Sequence, residues 1–241
     1  MSTDPLAWLV SLEGVPSAYA AARDGIDVML RDRGLRRTSP ELTAESLLRG
    51  AQASAVLEGS GSSLEDVREG AGDDVAQAAV RVSTELLGLV PVVNRSPAQA
   101  LARLHALAGA GAVDAEQLGR PRGAEAASRV QEVARVLTST TEAPALLVAA
   151  LVHAELLTAA PFASHNGIVA RAAERLVLAA RGVDEKSLVV PEAGHLANRA
   201  AYESNLQGYA DGGRAGVHAW VLYAAEAYAA GAEASPLNDA G

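Results

Sequence analysis

Along most of the chain apolar residues return every three or four positions, the spacing of one face of an α-helix. In "SPELTAESLLRGAQASAVLEG" a capping signal leads into Leu47, Leu48, Ala51, Ala55 and Val56 at helical spacing. That helix is predicted to stop near Glu58, because Gly59, Ser60 and Gly61 follow. A polar stretch precedes a second helix over about residues 73–89, which "VPVVNRSP" ends. Ser96 and Pro97 cap the next, "AQALARLHALAGAG", whose Leu101, Leu104 and Leu107 share a face. "EAASRVQEVARVLTST", "APALLVAALVHAELL" and "IVARAAERLVLAARG" read as three further helices, the last reaching Gly182. "EAGHLANRAAYESNLQGYADG" and "GVHAWVLYAAEAYAAGA" close the helical part, and "EASPLNDAG" is expected to fray. No strand-turn-strand pattern competes with these segments.

Composition agrees with an all-α protein. Of 241 residues 49% are hydrophobic but only 3% aromatic, with alanine dominant, which favours close helix packing over a sheet. There is no cysteine, so thiolate chemistry and disulfides are excluded, as a cytoplasmic protein tolerates. The net charge of −9 argues against a nucleic-acid partner. Arg31, Arg33, Arg36 and Arg37 form one small basic cluster, expected to be a solvated helix end. "MSTDPLAWLV" has no basic start before its apolar residues, so no signal peptide is indicated. The apolar run over 144–162 nearly reaches membrane length, but His153 and Glu155 in its middle favour a buried core helix.

The chemistry concentrates in "TAAPFASHNGIVAR", residues 158–171, a loop turning into a helix with an Asn-Gly pair at the turn and Arg171 one turn inside. Free N–H groups at such a helix start favour an anion. The stretch resembles the signature of the Fic (Fido) family, His-Pro-Phe-x-Asp/Glu-Gly-Asn-Gly-Arg-x-x-Arg. It matches at Pro161, Phe162, Asn166, Gly167 and Arg171, and departs at Ala160 for the His, Ser164 for the acid, His165 for the first Gly and Ile168 for the first Arg. The helix before the motif, with His153, and the closing helices resemble the family too, over about residues 96–230. Upstream, "SAVLEG" (54–59) resembles the Ser/Thr-x-x-x-Glu-Gly/Asn inhibitory helix that some members carry on the N-terminal side.

The resemblance implies a Fic helical fold in one compact unit. N-terminal helices would fill 1–95, with the inhibitory helix at about 44–59, the core would fill 96–230, and a frayed tail 231–241. It also implies roles. Family members move AMP from ATP onto a protein hydroxyl: the motif His is the base, the acid holds Mg²⁺, Gly-Asn-Gly cradles phosphates and the last Arg reaches the γ-phosphate. Asn166, Gly167 and Arg171 would be the anion or nucleotide seat, Pro161 and Phe162 the scaffold, and Ser54, Glu58 and Gly59 the inhibitory group, with Glu58 pairing Arg171. The base and the metal ligand are not filled. A missing base alone costs about 10²- to 10⁴-fold in rate.

Two histidines could stand in for the base. His153 lies seven positions before Ala160, about 10 Å along a continuous helix, too far to serve, and is expected in the core. His165 lies inside the loop, where an imidazole could act as base; if φ is positive there, it costs about 1 kcal/mol. His105, His195 and His218 show no metal-ligand spacing, so no metal site is expected. The family's hairpin flap, which docks a target peptide, looks shortened, because "GRPR" (119–122) passes straight into helix. Three readings follow: a degenerate binding or regulatory module with a protein partner, nucleotide or phosphate; an active nucleotidyl- or phosphotransferase using His165, ATP and Mg²⁺; or a structural homodimer. No nucleic-acid or membrane partner is expected.

Overall fold

In the computed structural model, residues 4–31 and 39–239 are described. Helices α1 (Val15–Met29), α2 (Pro40–Leu57), α3 (Leu64–Arg68), α4 (Asp74–Glu85), α5 (Val90–Arg95) and α6 (Pro97–Gly109) fill the first half. Then come α7 (Ala124–Thr138), α8 (Ala145–Ala159), α9 (Asn166–Ala180), α10 (Pro191–Ala197), α11 (Arg199–Ala210) and α12 (Gly213–Glu233). The described residues hold no strand, only an isolated bridge between Ala110 and Val113. Of the basic cluster, Arg31 is described, whereas Arg33, Arg36 and Arg37 lie outside the described residues.

The core runs along α8 and α9, which pack side by side. Every residue from Leu146 to Ala154 is buried, as expected of a helix that is apolar all round. No single described helix is long and apolar enough to cross a membrane. On α9 burial is continuous from Gly167 to Ala179 and takes in Arg171, Glu174 and Arg175, three charged side chains at helical spacing on one central rod. Around this pair α2 packs on α4 and α10, and α12 packs on α1, α10 and α11.

Three expectations are corrected. The helix predicted over 73–89 ends at Glu85; a 3-10 turn over Leu87–Leu89 follows, and "VPVVNR" is itself helical as α5. Pro91 fits there because the first turn of a helix has N–H groups to spare. The closing segment divides into α10 and α11 at Asn198, whose ψ of 40° interrupts the helix. Finally, the tail does not fray as far as Asp239. Pro236 and Leu237 are buried in a 3-10 turn, Asn238 bonds the carbonyls of Ala232 and Glu233, and Asp239 pairs with Arg49 on α2.

Candidate functional site

The loop between α8 and α9 is built by its own backbone. Ala160 ends α8 in the left-handed region, at φ 41°. Phe162 is 1% exposed and stacks on His105 with centroids 4.5 Å apart. Asn166 clasps the turn, its side-chain oxygen accepting from the Phe162 N–H at 2.9 Å and its amide donating to the Phe162 carbonyl at 3.0 Å. Arg122 ties the other side, donating its backbone N–H to the Pro161 carbonyl and its guanidinium to the Ala160 carbonyl. His165 immediately precedes α9, left-handed at φ 52°, with Nδ1 2.9 Å from Ser164 Oγ. Burial holds the His165 imidazole below its ordinary pKa, against the pull of Glu58.

Arg171 is 1% exposed and spends four of its five N–H groups. Nε donates to Ser54 Oγ at 2.9 Å, Nη1 to the Tyr202 hydroxyl at 3.0 Å, and Nη2 to the Ser54 carbonyl at 3.1 Å and Glu58 Oε1 at 2.8 Å. Glu58 caps the end of α2, where Gly59 turns the chain at φ 95°. Its carboxylate lies over the first turn of α9, where a Cβ added at Gly167 would clash with Glu58 Oε1. The Glu58 side chain keeps 30% of its exposure, so the pair is closed on the Arg171 side and open to water on the other. The structure therefore brings Ser54, Glu58, Gly167 and Arg171 together, with Asn166 holding the loop beside them.

Behind Arg171 lies a polar network that the sequence reading did not assemble. The Tyr202 hydroxyl is 2.9 Å from His153 Nε2, and His153 Nδ1 is 2.9 Å from Glu174 Oε2. His195 Nε2 reaches the same carboxylate oxygen at 3.0 Å, and Tyr228 donates to Oε1 at 2.8 Å. An ionised carboxylate only accepts, which puts protons on His153 Nδ1 and His195 Nε2; Tyr202 then donates to His153 and accepts from Arg171. Burial pushes His153 down to about 4, so its imidazole is neutral. Burial also pushes the Glu174 carboxyl up, but the two imidazoles outweigh this and hold it below the ordinary carboxylate range. Burial moves Tyr202 up to about 12. Only side-chain direction across five helices, α8 to α12, links these groups, and no local sequence signal marks their meeting. Of the other histidines, His105 accepts from the Gly119 N–H at 2.9 Å and His218 bonds the Glu13 carbonyl.

Comparison with solved structures decides the fold. Over 100% of this chain and 78% of theirs, a Fic family protein from Desulfovibrio desulfuricans G20 superposes at TM-score 0.78 with 18% identity. The chain has the Fic fold. Fic-1 from C. elegans matches at TM-score 0.67 and 17% identity, over 93% of this chain and 74% of that one, and a variant of it at 0.70 and 16%. No family model matches the sequence, and neither does any curated protein. The likeness is thus one of backbone, carried by an all-helical frame around the α8–α9 loop.

Proposed function

We propose that this chain is a Fic-fold binding module, degenerate in the loop chemistry of protein adenylyltransferases, whose former phosphate seat is closed by Glu58. The observation that carries this reading is the pair of Glu58 with Arg171 over the start of α9, next to a loop without the reacting groups. At the base position Ala160 offers only a methyl group, and its carbonyl is taken by Arg122. At the metal-ligand position Ser164 offers a neutral hydroxyl facing His165, so the loop does not fit Mg²⁺, which wants carboxylate and phosphate oxygens. At the first cation position Ile168 is 2% exposed and packs into the core. A triphosphate arriving here would find one guanidinium, already committed to Ser54, Tyr202 and Glu58.

A second reading rests on His165. A neutral imidazole beside a serine hydroxyl in the loop is competent as a base, and its positive φ is a strain that the loop sustains. One experiment decides between them. Wild type and Glu58→Ala are incubated with labelled nucleoside triphosphates, Mg²⁺ or Mn²⁺, and lysate. The expected result is no label above background from either protein. Labelling that His165→Ala abolishes while the fold persists would replace this proposal with the second reading.

A further inference from the structure

We propose that His153 Nδ1, Glu174 Oε2 and His195 Nε2 bind a divalent transition-metal ion, with zinc the best fit, as a three-ligand centre joining α8, α9 and α10. The three donor atoms lie within 4.8 Å of one another, and all three residues are fully buried. They are two imidazoles and one carboxylate, a borderline donor set that suits Zn²⁺ and disfavours Mg²⁺ or Ca²⁺, which want oxygen alone. Sequence spacing hides the set, because His153 and His195 stand on separate helices, each 21 positions from Glu174.

Charge accounting gives the first argument. Among the described residues the fully buried cations are Arg171 and Arg175, and each has its own carboxylate, Glu58 and Glu192. Among the described residues, Glu174 has the two imidazoles and the Tyr228 hydroxyl as its hydrogen-bond partners. A buried carboxylate without a cation is costly. A proton would answer that need with one imidazole. Two imidazole nitrogens stand beside the same carboxylate oxygen, at 2.9 and 3.0 Å, so the three donor atoms that an ion would need are already neighbours.

The surrounding shell gives the second. Metal-bound histidines are oriented by a hydrogen bond at the far ring nitrogen. Here Tyr202 holds His153 Nε2 at 2.9 Å and Tyr223 holds His195 Nδ1 at 3.0 Å, while Tyr228 holds the other carboxylate oxygen. With an ion bound, the imidazole protons move to the far nitrogens, which then donate to the tyrosine oxygens, and both rings stay neutral. Zinc–ligand bonds of about 2.0–2.2 Å at tetrahedral angles set donor atoms about 3.4 Å apart, so both imidazole nitrogens move outward from Glu174 Oε2 to admit the ion.

Because none of the three residues is exposed, the ion enters as the chain folds, and its binding adds to folding stability. The test therefore uses refolding. The untagged full chain is unfolded in guanidinium chloride with a chelator, then refolded with Zn²⁺, with Co²⁺ or with neither, and desalted. The expected outcome is about one zinc per chain by elemental analysis, a higher Tm for the zinc form, and visible cobalt bands of low-coordinate geometry. His195→Gln, a near-isosteric change, should fold and lose the ion; retention of a full equivalent would overturn the assignment. Should that variant not fold, the wild type decides. Refolded chains with less than about a tenth of an equivalent of metal and equal Tm with and without Zn²⁺ would show a purely hydrogen-bonded cluster and end the proposal.

Discussion

At the scale of single residues, Arg171 and Glu58 divide the work unequally. Three of the four hydrogen bonds on Arg171 go to Ser54 and Tyr202, so the guanidinium stays in place whether or not Glu58 is present. Glu58, 30% exposed, supplies one charge-assisted bond, which removal should cost about 1–2 kcal/mol after allowance for solvent. Glu58→Ala is therefore expected to melt a few degrees below wild type. Asp184 titrates in the opposite sense to a paired carboxylate. Its Oδ2 accepts from the Val189 N–H, but Oδ1 is buried with no partner, and burial raises its pKa. A raised carboxyl contributes its stability fully below the unfolded value, about pH 4, and loses it as pH climbs through the folded value. Asp184→Asn should accordingly melt above wild type at neutral pH, with the gap closing toward about pH 4 in a pH-resolved thermal melt. A gap that widens on acidification would contradict this.

At the scale of elements, period and capping residues made the central helices legible. The spacing over 44–58, the uninterrupted apolar run of α8 and the Gly182 stop after α9 all correspond to helices at those places. Breaks were harder to read. Asn198 has no Gly or Pro beside it to announce the division of α10 from α11, and Pro91 looked like a stop when it begins a helix. The loop between α8 and α9 carries two left-handed non-glycine residues, Ala160 and His165. Ala160 has no side-chain partner to lose, so Ala160→Gly should relieve about 0.5–1 kcal/mol of backbone strain and raise the denaturant midpoint. Unchanged or lower stability in urea titration would show that the loop is not strained at that point.

At the scale of the whole molecule, the Fic frame is shared with proteins under 20% identical, because a helical frame needs only apolar faces of the right size at the right spacing. That tolerance explains what the sequence could and could not show. The motif loop was readable from Pro161, Phe162, Asn166 and Gly167, which lie close together between positions 161 and 167. The approach of Glu58 to Arg171, across 113 positions, was inferable only by resemblance, and the meeting of His153, Glu174 and His195 gave no local signal at all. It depends on α8, α9 and α10 converging, which packing alone determines. We propose that Glu58 closes a seat still able to hold an anion. The direct measurement is the Tm of wild type and Glu58→Ala across a titration of inorganic phosphate without metal. The variant is expected to start lower and to recover with phosphate, while wild type does not respond. A variant that melts like wild type and gains nothing from phosphate would contradict it.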